Sequence, residues 1–289
     1  MVPLGERNMS EEDIERTQMI SVQDVPEEKL QVRKTKTVRR LSSTGRKLIM
    51  VLMIAAGAMV AYSGWKIWSG LRAYRKGDAV YENVSAAAYT ETKTNEAPAE
   101  KKDRVSFAAL AEINPDVVGW LKLDGTVIDY PVVQGSDNEY YLSHMFNGDI
   151  NVVMGSLFLD CEADPKFKDR NTLLFGHHTN NGSMFCVLEE YKKQEFYDAH
   201  KQMELQTPDG DYILEPVAGR VMDAKIPFML KQFANDDEFL NFVNGFVENS
   251  TFAADTAVTA ADRIITMCTC TDDFQDARYV LICRMVPED

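Results

Sequence analysis

The chain has 289 residues, 45% hydrophobic and 26% charged, the composition of an ordinary globular protein with room for one sizeable domain and additional segments. Its formal net charge is −14 at pH 7, and the first 47 residues, with ten bases against eight acids, carry none of that excess. The remainder is therefore strongly acidic and would repel polyanions, so nucleic acid is excluded as an expected partner.

Residues 1–47 are polar, with acidic blocks and no sustained apolar period, and read as a disordered or weakly helical tail. Residues 48–65, LIMVLMIAAGAMVAYSGW, hold no charge over eighteen positions, and Ile67 and Trp68 extend the run past Lys66. This is the pattern of a transmembrane helix over 48–68. Arg33, Lys34, Lys36, Arg39, Arg40, Arg46 and Lys47 precede it without an intervening acid. The positive-inside rule then predicts a single-pass protein of the cell membrane, N-terminus cytoplasmic and the remainder on the extracellular face. A cleaved signal peptide of roughly 15–30 residues fits the long tail less well. Residues 69–101, rich in Ala, Thr and Glu, suit a stalk lifting the domain off the bilayer; the alternative is a short helix packed on the domain.

The folded domain is predicted over 102–289. Val105, Phe107, Ala108, Leu110 and Ala111 form a short helical face that Asn114-Pro115 ends. From Gly119 the pattern turns to period two. GWLKLDGTVIDYPVVQG, MGSLFLD, NTLLFGH, MELQTP, DYILEPVAGRVMDA, RIITMCTC and ARYVLICRMV give about eight short strands, which suits a closed barrel or a sandwich. One helix interrupts over 236–250, where Phe239, Leu240, Phe242, Val243, Phe246 and Val247 recur at three and four with Asp236 and Asp237 leading.

Five cysteines on an exported chain leave at least one thiol unpaired within the monomer. Cys268 and Cys270 stand two apart. A structural zinc wants paired Cys-x₂₋₄-Cys ligands, and no second pair matches this one, so no metal site is expected. A disulfide between them is disfavoured, because alternate residues on a strand are roughly 6.6 Å apart with parallel Cβ vectors. A nucleophile is the third reading, with a redox role for Cys268 kept open beside it. Among four histidines, His177 and His178 follow an apolar strand and Gly176, placed to face a cleft. Arg278, eight residues past Cys270 and at the start of the adjoining strand, can return to the same sheet edge and hold a developing oxyanion. An ion pair with Asp273 or Asp276 is its bland alternative.

Thr266-Met267-Cys268-Thr269-Cys270 resembles the TLxTC signature of sortases, with Gly176-His177 and Arg278 at the places of their essential histidine and arginine. Asn114-Pro115-Asp116-Val117-Val118-Gly119-Trp120, Ile128-Asp129-Tyr130-Pro131-Val132-Val133-Gln134, Asp137-Asn138-Glu139-Tyr140-Tyr141-Leu142 and Gly182-Ser183-Met184-Phe185 are similar to class B segments in the same order, from about Phe107 to Val286. The chain departs from the family at Met267, where leucine is commoner, at Cys268, commonly serine, and at Phe175, often tyrosine.

The resemblance implies a mainly β fold, a closed eight-stranded barrel with N-terminal and inserted helices. It implies Cys270 as nucleophile, His177 as acid–base partner and Arg278 as stabilising cation, with His178 dispensable. Asn138, Leu142, Cys268 and Thr269 would line the substrate groove, which the insertion carrying 236–250 helps to shape. The implied activity is that of a cofactor-free cysteine transpeptidase held in membrane lipid by one helix. It would cut a C-terminal sorting signal of secreted proteins through a Cys thioester. It would then join them to a peptidoglycan cross-bridge amine or a pilin lysine. A membrane-anchored cysteine peptidase using water, or a non-catalytic surface scaffold, are the alternative readings.

Overall fold

A computed structural model describes residues 42–89, 104–225 and 229–288. Most of the expected tail, residues 1–41, and residues 90–103, the end of the expected stalk with the first two residues of the expected domain, lie outside the described residues. The chain divides into two units, Met1–Val60 and Ala61–Asp289. In the first, the described residues are helix α1, Ser43–Ala88, which continues into the second. Leu48 to Ile54, Met59 and Val60 expose their apolar side chains along it. Among the described residues α1 is the helix long and apolar enough to cross a membrane.

In the second unit α1 runs on to Ala88, through much of the segment read as a stalk. Gly77, Tyr81, Val84 and Ala88 are buried, and they recur at helical spacing as one face. Tyr81, Val84 and Ala88 pack into the barrel's main core. The stalk reading is therefore corrected for this stretch. The face is made of small residues and one tyrosine, so it shows no strong apolar period in the sequence. Asn151 donates to the Ala73 carbonyl at 2.9 Å and Lys76 pairs with Asp149 at 3.0 Å, holding the helix against the loop before β3.

Eight strands follow: β1 Val117–Lys122, β2 Asp129–Val133, β3 Leu157–Leu159, β4 Asn171–Phe175, β5 Met203–Gln206, β6 Tyr212–Asp223, β7 Arg263–Cys270 and β8 Ala277–Pro287. They close as a barrel in the order β1-β2-β3-β4-β7-β8-β6-β5. β2 with β3 and β4 with β7 are parallel, and the other neighbours antiparallel. Closure removes free edges and places inward and outward residues in alternation. Helices α2 Phe107–Ile113, α3 Tyr140–Ser143, α4 Gln194–Ala199 and α5 Asp236–Val247, with the 3-10 helix Phe185–Lys192, fill the connections. Ser106 caps α2 by accepting from the Ala109 amide at 3.2 Å, and Asn235 caps α5 by accepting from Glu238 at 2.9 Å.

The alternation divides the core. Ile265, Met267, Leu281 and Cys283 point inward and join Trp120, Val132, Leu157 and Leu174. Ile264, Cys268, Val280 and Ile282 point outward and are covered by Phe239, Val243 and Phe246 of α5. At Gly219 on β6 the barrel leaves no room for a side chain. A Cβ there would lie 2.1 Å from the Tyr279 hydroxyl and 3.0 Å from the Phe252 ring. Tyr279 cannot swing aside, because it is fully buried and its hydroxyl bonds Thr251 Oγ1 at 2.8 Å. Gly219→Ala is expected to cost about 1–3 kcal/mol from overpacking. Urea melts check this, and an unchanged midpoint would contradict the packing described.

Candidate active site

Strand direction brings the predicted residues together. β4 and β7 run parallel with Phe175 opposite Cys268, so both end at one rim, β4 leading into Gly176-His177 and β7 ending at Cys270. β8 runs back antiparallel, and its register sets Arg278 directly opposite Cys270. His177, Cys270 and Arg278, with Asn138, Leu142, Cys268 and Thr269, line one cleft of about 290 Å³.

The two cysteines of the Cys-x-Cys stretch share the outward face of β7 but not an environment. Cys268 is 7% exposed beneath α5, whereas Cys270, at the strand end, is exposed. Burial pushes the Cys268 thiol up to about 12, against the opposing pull of the Arg278 cation and with a small push from Cys270. A thiol so held is neutral throughout the physiological range. Thr269 faces inward at 2% exposure, and its hydroxyl has no hydrogen-bond partner among the described residues. Its contribution to the cleft is therefore backbone.

The carboxylates that could have neutralised Arg278 are engaged elsewhere. Asp273 pairs with Lys192, and Asp276 lies 3.7 Å from Lys225. Arg278 donates to the Ala277 carbonyl at 2.9 Å. Among the described residues no carboxylate pairs with its guanidinium, so its fork carries no fixed negative charge.

His177 Nε2 is 2.6 Å from the Leu142 carbonyl. A carbonyl only accepts, so Nε2 carries a proton, and in the neutral ring Nδ1 is the nitrogen with the lone pair. Gly176 lets the chain enter this position, since a Cβ there would lie 2.5 Å from Leu157 Cδ2 and 2.7 Å from the Phe185 ring. His178 is committed to structure, with Nε2 at 3.1 Å from Glu189 and 3.5 Å from Cys186 Sγ.

Asn138 is tied down on both sides of its amide: Nδ2 donates to Asp160 at 3.0 Å and Oδ1 accepts from the Cys161 amide at 2.8 Å. Asp160 in turn pairs with Lys231 at 2.8 Å. Leu142 stands 41% exposed on α3 and gives the cleft an apolar lip. Phe158, Phe175, Gly176 and Met229 complete the lining. Met229, half exposed in the connection from β6 to α5, is a lining residue that sequence reasoning misses, since no pattern around it distinguishes it.

On a closed eight-stranded barrel, then, a cysteine, a histidine and an arginine converge at one rim. The sortase domain family matches residues 121–286, and the chain belongs to the sortase family. Sortase B of Staphylococcus aureus (strain NCTC 8325 / PS 47) is 36% identical over 185 residues, covering 63% of this chain and 75% of the relative. The structure of a Staphylococcus aureus sortase B–substrate complex superposes with a TM-score of 0.66 at 32% identity, covering 74% of this chain and 98% of that one. A sortase B complexed with triglycine has the same TM-score and identity, covering 74% and 99%. Within the family the chain is a class B sortase, a cysteine transpeptidase of the kind that anchors surface proteins.

The contrast between the cysteines is directly measurable. Brief iodoacetamide treatment at pH 7.5 followed by peptide mass spectrometry is expected to modify Cys270 and leave Cys268 unmodified until the fold opens. Modification of Cys268 in the native chain would contradict the burial described.

Proposed function

We propose that Cys270 is the nucleophile, His177 the general acid–base and Arg278 the oxyanion partner of a transpeptidation on secreted surface proteins. The observation that carries the reading is the register pair: an exposed cysteine opposite an arginine with no carboxylate on it among the described residues, at the rim where the histidine strand also ends.

Cys270 gives its thiol proton to His177 Nδ1, and the thiolate attacks the threonine carbonyl of a Thr–Gly-like or Thr–Asn-like bond in a C-terminal sorting signal. Negative charge develops on that carbonyl oxygen, and the Arg278 fork steadies it. The C–N bond breaks as His177, protonated on both nitrogens, gives its Nδ1 proton to the leaving amine, leaving a thioester on Cys270. The Leu142 carbonyl keeps Nε2 protonated throughout. An incoming amine then attacks the thioester, passes its proton to Nδ1 and expels the thiolate. Asn138, Leu142, Cys268 and Thr269 form the walls along which the signal lies.

The acceptor is a peptidoglycan cross-bridge amine or a pilin lysine; the triglycine complex of the structural neighbour supports an amine as nucleophile. Water opening the same thioester would give cysteine endopeptidase activity. α1 supports a membrane anchor over 48–68, with the seven upstream bases favouring a cytoplasmic N-terminus and the barrel outside.

The full chain, assayed in detergent micelles with sorting-signal peptides from exported proteins of its host and with triglycine, tests this. Cys270→Ala and His177→Ala are expected to abolish turnover, while His178→Ala and Cys268→Ala retain it. Arg278→Ala should lower kcat by about 10²–10³ with a smaller change in KM, the signature of an interaction made in the transition state. Cleavage by Cys270→Ala would overturn the assignment. A hydrolysed product in place of a ligated one, with triglycine present, would leave a peptidase.

A further inference from the structure

His177 lacks a carboxylate or amide side chain as orienter among the described residues; a backbone carbonyl takes that place, and the backbone that supplies it is held from α1. Gly155 is the contact point. It adopts φ +55°, and a Cβ there would meet the Tyr141 carbonyl at 2.5 Å, the Leu142 carbonyl at 2.8 Å and His177 Cδ2 at 3.0 Å. Gly155 therefore lies flat against both the imidazole and the carbonyl that accepts its Nε2 proton. The conformation and the close approach each require glycine.

Tyr81 fixes Gly155 in turn. It is 6% exposed, its ring stands edge-on to Tyr130 at 5.2 Å, and its hydroxyl donates to the Gly155 carbonyl. The same hydroxyl lies 3.2 Å from Ser156 Oγ. Ser156 extends the hold to the turn bearing Leu142: its amide donates to the Tyr141 carbonyl at 3.0 Å and its hydroxyl to the His144 carbonyl at 2.9 Å. The buried path thus runs from the helix, through Gly155-Ser156 and the α3 turn, to one nitrogen of the imidazole.

We infer that Tyr81 is a positioning residue for the reaction: through Gly155 it holds the Leu142 carbonyl against His177 and so fixes the imidazole in the Nε2–H tautomer, with the lone pair on Nδ1. This rests on the acid–base role proposed for His177. Without the tyrosine hydroxyl, Gly155 and the α3 turn lose their common anchor, the Nε2 bond loosens, and Nδ1–H and Nε2–H forms mix. The Nδ1–H tautomer has no lone pair on the nitrogen that must take the incoming amine's proton.

The test uses the full chain, labelled with ¹⁵N-histidine, in detergent micelles. Long-range ¹H–¹⁵N correlation reads the tautomer of each of the four histidines, and His177→Ala identifies the relevant signal. The wild type is expected to show His177 as Nε2–H. Tyr81→Phe keeps the ring and removes the hydroxyl. It is expected to show mixed His177 tautomers with His178 and His200 unmoved, and kcat lowered about ten- to a hundredfold at nearly constant KM, as misplacement of a catalytic group produces. Val84→Ala, on the same buried helix face, should lower the melting temperature without changing the tautomer. A Tyr81→Phe chain with wild-type tautomer and kcat would overturn the inference, as would Val84→Ala reproducing its effects. Should Tyr81→Phe fail to fold, Ser156→Ala cuts the same path further along, at the His144 carbonyl, and carries the same expectation. Turnover by His177→Ala would sink the acid–base role itself, and the tautomer measurement would then decide the positioning alone.

Discussion

The register of β7 between its two neighbours is the constraint on which the site depends. Parallel pairing with β4 sets Cys268 beside Phe175, and antiparallel pairing with β8 sets Cys270 opposite Arg278. A slip of one residue would turn Thr269 outward and carry both cysteines into the barrel. Two features hold the register. Thr266 Oγ1 donates to the buried Asn171 Oδ1 at 2.7 Å, tying β7 to β4 by side chains as well as backbone. Ile264 and Cys268 are locked outward under α5, while Ile265 and Met267 are locked into the interior. Asn171 also donates to the Leu230 carbonyl at 2.7 Å. The residue that sets the register therefore also places the segment carrying Met229 over the cleft.

Charge is distributed to suit that geometry. The domain is acidic, and an arginine on its surface would ordinarily find a carboxylate. Here Lys192 draws in Asp273 and also bonds Glu189 and Thr271 at 3.0 Å each, fastening the turn after Cys270 to the 3-10 helix that follows the histidines. Lys231 does the equivalent on the opposite wall, taking Asp160 and Glu162, and those hydrogen bonds raise its own pKa to about 12. Its ammonium therefore stays charged through physiological pH, and Asp160 stays available to hold Asn138. The lysines consume the nearby acids, and the arginine remains open.

Much of this is legible in the sequence because strands announce themselves by alternation. All eight strands fall in segments readable that way, whereas the burial of Cys268 depends on cover by α5, a tertiary contact. The short helices α3 and α4 and the 3-10 helix hold too few residues to show a period. The packed end of α1 reads as a stalk because its buried face is built from Gly77, Tyr81, Val84 and Ala88, only one of them a large side chain. Met229 and the Tyr81–Gly155 contact are tertiary facts: the latter joins residues 74 apart, and nothing local to either predicts the other.

The central claim is that the exposed cysteine at the end of β7 carries the acyl group. It is tested most directly by mixing the full chain with a sorting-signal peptide without an amine acceptor, quenching in acid and mapping the adduct by peptide mass spectrometry. The account predicts the acyl fragment on Cys270, discharged as ligated product when triglycine is added. An adduct on Cys268 or another residue, or turnover with no adduct on Cys270, would contradict it.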